Sequence, residues 1–291
     1  MHLFRLWFPH HIEDRCLPLV ENSRILFCIG VDNRFYPSPY VGDLEDLRTV
    51  KALRETVGRM ETLLEVEPEI VCCDMHPKYN SVMVAEELGL PVVKVQHHYA
   101  HILSCMAEND CEEKVIGVSF DGTGYGTDGT IWGGELLVAD CQGFTRLGSI
   151  EPFVQVGGDI SAKEGWRIAV SLIWQNMGNL EKTLDTVRKL GLCTDQEAKV
   201  LVTMAQRKIN AVTSTSAGRL FDGVSAILGI RRASTFEGEA STALEFAAEA
   251  WRKQREMQKK NPEENLKIRM SEKEDIPEGT GISEASEDEQ N

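Results

Sequence analysis

The sequence predicts an α/β protein in which a strand-rich half precedes a helical half, and three patterns carry that prediction. Apolar Leu47, Val50, Leu53, Val57, Met60, Leu63 and Leu64 recur at threes and fours within residues 43–64, the stripe of an amphipathic helix. Short apolar runs at 69–73, after Pro68, and at 91–95 flank a helical segment at 80–88, the strand, helix, strand alternation of a three-layer α/β domain. Beyond Pro152 the patterns are mainly helical.

The elements follow in order. Residues 1–25 mix aromatic, His and Pro side chains without periodicity and are expected to be irregular, with strand-like segments at 24–30 and 34–37. After the alternating segment, a helix is expected at 97–108, followed by strands at 115–120 and 130–139 that flank a glycine-rich turn. Helices are then expected at 162–175, 180–190, 195–209, 217–228 and 239–258. From residue 260 the chain is polar, with almost no large apolar side chain to offset the entropy of ordering, so 260–291 reads as a disordered acidic tail. The expected organisation is an irregular 1–25, an α/β lobe with the glycine hairpin at 26–150, a mainly helical 151–259, and the tail.

The 291 residues carry 31 Lys and Arg against 46 Asp and Glu, a formal charge of −15. Residues 271–291 alone hold net −7, which leaves −8 for the preceding 270. That balance argues against nucleic-acid binding, which rewards clustered cations. The longest uncharged stretches, 95–107 and 168–180, have 13 residues each and are too short to cross a bilayer, so no membrane contact is expected. The opening residues lack a secretory pattern, and the eight Cys form no CxxC pair. A cytoplasmic protein with reduced thiols is the expectation.

Several segments could carry chemistry. In Val95-Gln-His97-His98-Tyr-Ala-His101, a helix would set His97 and His101 one turn apart on one face, a spacing that suits two imidazoles on one metal ion. The alternative is that these histidines merely cap or line the helix. In Ser119-Phe-Asp121-Gly-Thr-Gly124-Tyr-Gly126-Thr-Asp128-Gly129, repeated Gly lets backbone N–H groups face one concavity, as in a phosphate-binding turn. It fits neither the P-loop pattern nor the dinucleotide fingerprint, since a strand follows it. An ordinary hairpin tip is the rival. Gly157-Gly158-Asp159, and Thr213 to Asp222 with a hydroxyl-rich loop ahead of a helix, are weaker candidates, as is Cys73-Asp74-Met-His76-Pro77 at the end of a strand, where open α/β sheets keep ligands.

Taken together, CDMHPKY from Cys73, VQHHYAHI from Val95, FDGTGYGTDGTIWGGE from Phe120, Gly157-Gly-Asp, SAGRLFD from Ser216 and FEGEA from Phe236 resemble, in this order, the carbamoyltransferase domain of the hydrogenase maturation factor HypF. SPYVGDLE from Ser38 is also similar, and the resemblance spans roughly residues 26–250. That domain is Kae/TsaD-like, related to the tRNA threonylcarbamoyl transferases, and the resemblance implies an RNase-H-like lobe of the actin, sugar-kinase and Hsp70 type followed by a helical region. It further implies transfer of a carbamoyl group from carbamoyl-adenylate, made from ATP, to the C-terminal Cys thiol of HypE, on the route to the cyanide ligands of nickel-iron hydrogenase. By residue matching, His97, His101 and Asp121 are implied as ligands of a divalent iron or zinc ion. Gly122, Thr123 and Gly124 are implied at the phosphate, with Asp222 and Gly238 on the sugar side of the nucleotide. The incoming thiol belongs to the partner, so none of the eight Cys need be catalytic.

The chain also departs from that pattern. The acylphosphatase-like, zinc-binding and adenylate-forming domains of full HypF proteins are not found in it, and residues 1–25 replace the usual opening strand. Beyond Trp251, where the family continues with a glycine-rich segment and a late Asp, this chain turns polar, so the second lobe is expected to be largely missing. The explanations are a split enzyme completed by a separate polypeptide, a truncated gene product, or a noncatalytic module that binds metal or HypE. Weak or no activity alone is expected, and O-carbamoylation of a small-molecule hydroxyl is a further alternative.

Overall fold

A computed structural model describes residues 16–19, 27–31, 34–44 and 46–260. Most of the irregular opening and the disordered tail expected from residue 260 lie outside the described residues; Lys260 closes the last helix. The chain divides into two compact units, 1–241 and 242–291.

The first unit opens with β1 (Cys16–Leu19), β2 (Cys28–Val31), β3 (Arg34–Pro37), α1 (Leu47–Leu64), β4 (Ile70–Asp74), α2 (Asn80–Glu87) and β5 (Val92–Val95). The strands form one sheet in the order β3-β2-β1-β4-β5, antiparallel on the β3 side and parallel from β1 to β5. The irregular reading of 1–25 is thereby corrected at residues 16–19, because β1 is the central strand of the sheet; the rest of that segment lies outside the described residues. Its Pro18 pairs in register with Cys72, although a proline inside a short run argues against a central strand. Helix α1 starts where the Asp46 carboxylate accepts the Arg48 N–H at 2.8 Å, so that it opens on Leu47, the first residue of the apolar stripe. It buries Val50, Leu53, Val57 and Met60 against Phe27, Ile29 and Val71.

Next come α3 (His97–Glu108), β6 (Val115–Tyr125), β7 (Ile131–Asp140), β8 (Gly143–Ser149) and β9 (Phe153–Val156). A 3-10 turn at Gly158–Ala162 leads into α4 (Gly165–Met177), α5 (Leu180–Leu190), α6 (Asp195–Arg207), β10 (Ala211–Ser214), α7 (Ala217–Ile227) and α8 (Glu239–Lys260). A second five-stranded sheet runs β6-β7-β10-β9, with β8 on β7. The glycine hairpin therefore belongs to a different sheet from β1–β5, and the mainly helical region contributes β9 and β10 to it. The second sheet has its own helical core, Trp166, Val170, Leu184, Val187 and Leu201 among its residues. The glycine-rich segment is only in part the hairpin tip: β6 continues through it to Tyr125, with the register shift of a bulge between Phe120 and Gly124, and its last residues, Gly126 to Gly129, form the turn closed by the Gly126 N–H on Thr130 O.

Helix α3 bridges the sheets. It follows β5 and packs Ile102 and Met106 on Trp132, Leu137 and Ala139 of β7. A buried carboxylate ties the second sheet to the start of α7. Glu135, fully buried, pairs with Arg146 Nε at 2.7 Å and accepts from the Gly133 and Gly134 N–H groups and the Thr215 hydroxyl. Glu135→Ala removes the acceptor of the Gly133 and Gly134 N–H groups and of Thr215, and leaves the half-buried Arg146 with Asp128, 3.4 Å away, as its remaining counter-charge. It is expected to cost about 3 kcal/mol, read as a lower urea midpoint at unchanged slope.

Candidate metal centre

The site forms where strand ends of the first sheet meet the bulge of β6. Gln96 caps α3, its Oε1 accepting the Tyr99 N–H at 2.9 Å, so His97 occupies the first helical position and His101 the next turn. Asp74 ends β4 and reaches His97, with Oδ2 2.9 Å from Nδ1. Asp121 enters from the bulge, its Oδ2 3.0 Å from His97 Nε2 and 4.0 Å from His101 Nε2, while the two Nε2 atoms stand 3.2 Å apart.

A carboxylate can only accept, so the Asp74 contact puts a proton on His97 Nδ1 and turns the Nε2 lone pair inward. Burial opposes charge on His97, yet its hydrogen bonds to Asp121 and Asp74 outweigh that and lift its pKa to about 10. Burial likewise opposes charge on Asp121, but His97 and the Gly122 N–H, 2.6 Å from Oδ1, bring its pKa down to about 2. A divalent ion would take the place of the Nε2 proton.

The residues fit such an ion. One nitrogen from each of His97 and His101 and one oxygen of Asp121 lie within 4.8 Å of one another. Two ligands of a tetrahedral ion at ~2.0–2.1 Å stand about 3.3 Å apart, between the closest and widest separations here. Asp121 Oδ2 is buried and, apart from His97 Nε2 at 3.0 Å, has no hydrogen-bond donor to satisfy it, a cost that a cation would remove. The donor set of two imidazoles and a carboxylate suits zinc and iron alike. His101 is 56% exposed, so the centre opens to solvent on that side. A groove of about 350 Å³ lined by Ile102, Cys105 and Val118 has His101 in its wall.

The other sequence candidates are placed as follows. The Gly122 N–H is engaged by Asp121 and its carbonyl by the Ser216 hydroxyl at 2.6 Å, while the Thr123 hydroxyl donates to the same carbonyl. Gly124 serves close packing, since a Cβ there would lie 2.4 Å from His98 Cε1. Asp222 is buried and its Oδ2 accepts from Arg219 Nε at 2.7 Å. Gly238 precedes α8 with φ +77° and is outside the three-residue cluster. Sequence reasoning passed over Arg219, whose guanidinium faces Gly122 from the first turn of α7. It offered Asp74 as a weaker candidate at a strand end but not as a partner of His97; an acid there, ahead of a helix that opens on His, was the available signal. No disulfide joins the cysteines of the described residues, and burial pushes Cys28 up to about 12 and Cys73 and Cys193 to about 11, away from nucleophilic thiolates.

Asp74→Asn removes the charged acceptor behind His97 and is expected to weaken divalent-ion binding about 10- to 100-fold. Competition titration against a chromophoric chelator measures it.

Comparison with known proteins gives a consistent picture. Residues 117–281 match the family model described as "Carbamoyltransferase, Kae1-like Domain, second subdomain", and residues 21–108 match "HypF Kae1-like domain". The chain is 33% identical over 244 residues to the probable carbamoyltransferase HypF of Methanocaldococcus jannaschii, covering 79% of this chain and 32% of that protein. It is 36% identical over 250 residues to the carbamoyltransferase HypF of Synechocystis, covering 81% and 32%. A crystal structure of full-length HypF in the phosphate- and nucleotide-bound form superposes with a TM-score of 0.75 at 34% identity, over 82% of this chain and 31% of that one. The crystal structure of HypF from T. kodakarensis gives 0.73 at 26% identity, over 83% and 32%. The chain thus spans about a third of the length of these relatives. Among its described residues, no helix is long and apolar enough to cross a membrane.

Proposed function

This chain belongs to the Kae1-like carbamoyltransferase family of HypF, and on that premise we propose that it moves a carbamoyl group from carbamoyl-adenylate to the C-terminal cysteine thiol of HypE in hydrogenase maturation. The observation that carries the reading is the convergence of His97, His101 and Asp121 on one point beside Gly122 and Arg219. A divalent zinc or iron ion bound there would draw electron density from the mixed anhydride and stabilise the departing AMP.

The chain's own residues do the rest by holding and orienting. Asp74 fixes the His97 ring. Arg219, held by Asp222, presents a cation toward Gly122, where a phosphate oxygen of the nucleotide would sit. The thiolate sulfur bonds to the carbamoyl carbon as the carbon–oxygen bond to the phosphate breaks. AMP keeps the bonding pair, and the thiol proton passes to solvent. The exposed side of His101 gives the thiol its approach and also admits water, which competes by hydrolysis. Turnover by this chain alone is therefore slow. A thiol acceptor places the reaction in the reducing cytoplasm. The central position of β1 in the first sheet also supports an RNase-H-like lobe.

The test is the intact mass of HypE after mixing with the metal-loaded chain, ATP, carbamoyl phosphate and the upstream HypF domains. Gain of one carbamoyl on the terminal cysteine, lost with His97→Ala, is expected. An unchanged mass overturns the proposal.

A further inference from the structure

One buried histidine of the site has no part in the ligand set. His98 is fully buried, and its Nε2 has no hydrogen-bond partner. Three contacts fix which of its nitrogens carries the proton. Gln96 Oε1 accepts from the Tyr99 N–H, so the amide nitrogen lies on the other side of that side chain. That nitrogen donates to the Tyr125 carbonyl at 3.1 Å, which only an N–H group can do. The same nitrogen is 3.1 Å from His98 Nδ1. An amide NH₂ cannot accept, so His98 Nδ1 must, and the neutral ring carries its proton on Nε2. Gly124, whose Cβ would collide with His98 Cε1 at 2.4 Å, lets the hairpin close over the ring and keeps it from turning.

The Nε2–H points toward the metal centre. It is 3.9 Å from Asp121 Oδ2, too far for a direct hydrogen bond; His98 Nε2 is buried without a partner, whereas Oδ2 also faces His97 Nε2 at 3.0 Å. A buried donor without a partner beside a metal ligand calls for an acceptor at that centre. A donor facing a cation site does not coordinate the cation, but it does match an oxygen bound to it. We infer that His98 is a neutral hydrogen-bond donor to an oxyanion oxygen bound at the His97, His101 and Asp121 centre, set in that role by Gln96. The inference rests on the metal reading of the site and adds to it a residue that selects the ligand of the ion rather than the ion.

The tautomer is tested without any variant. Long-range nitrogen-15 NMR of the full chain should show His98 protonated on Nε2 and bare on Nδ1, and the opposite tautomer overturns the inference. The donor role is tested on the Co²⁺-loaded chain, with inorganic phosphate titrated against the visible cobalt spectrum. His98→Phe, which keeps a ring but loses the donor, is expected to bind Co²⁺ within about threefold of wild type. Its phosphate affinity should fall about 10- to 100-fold, the range for a hydrogen bond to a charged group. His98→Gln, which restores an N–H, should recover part of the loss. Unchanged phosphate affinity in His98→Phe sinks the inference alone, as does a collapse of Co²⁺ affinity to the His97→Ala level, which would make His98 a ligand. Failure of the wild-type chain to bind Co²⁺ removes the metal reading itself and the inference with it.

Discussion

Asp121→Asn is expected to weaken divalent-ion binding by at least about 100-fold while the fold persists. Asp121 brings the one negative charge among the three converging side chains, and without it two neutral imidazoles face the ion alone. Its geometry leaves little room for compensation. Oδ1 is engaged by the Gly122 N–H at 2.6 Å, which aims Oδ2 at the two histidines. An amide in this position would either turn an N–H toward His97 or offer an uncharged oxygen. The side chain is 29% exposed rather than part of a core cluster, so the melting temperature should move by only a few degrees, roughly the shift of 1 kcal/mol in a domain of this size. Chelator competition and a thermal melt together separate loss of the ion from loss of the fold. Comparable loss of both would mean that Asp121 is a structural residue.

Gly133→Ala is expected to have the larger effect on stability. A Cβ on Gly133 would lie 2.7 Å from the Asp121 carbonyl and 2.8 Å from Ser216 Cα, and neither backbone atom can swing aside. Position 133 is where β7, the bulge of β6 and the N-cap of α7 come into contact. Relief of the clash must separate the Asp121 segment from Ser216, whose hydroxyl donates to Gly122 O and caps Arg219 N. Overpacking of this kind costs about 3 kcal/mol, and metal affinity should fall with it as the carboxylate moves. Gly143→Ala is the matched control in the neighbouring strand. Nothing lies within 4 Å of its Cβ, and its backbone is outside the left-handed region. That change should fall within about 0.5 kcal/mol of wild type. Equal urea midpoints for the two variants would contradict the packing argument.

The parts of the fold legible in the sequence are those with enough residues to show a period. In α1, the spacing of Val50, Leu53, Val57 and Met60 is enough to mark the buried face, and α3 to α7 lie close to where their patterns put them. Strands β9 and β10 have four residues each, too few for alternation to stand out. Strand β1 has four residues, Pro18 among them, in a segment without periodicity, yet it stands at the centre of its sheet. The glycines of the β6 segment read as a turn because turns and bulges draw on the same residue; only the ladder to β7 separates them.

In the site, the spacing of His97 and His101 was readable because helical geometry converts four residues into one face. The roles of Asp74 and Gln96 were not, since each depends on a contact made across the fold: Asp74 with a ring 23 residues away, Gln96 with the Tyr125 carbonyl 29 residues away. Arg219 was visible as part of a motif but not as a cation turned toward Gly122.

The central claim is that His97, His101 and Asp121 together hold a divalent ion. Metal content of the purified full chain after zinc loading and dialysis tests it most directly. Wild type should retain one ion per chain and His97→Ala/His101→Ala none. A wild-type protein that comes through dialysis without an ion, or a double variant that keeps as much as wild type, would contradict it.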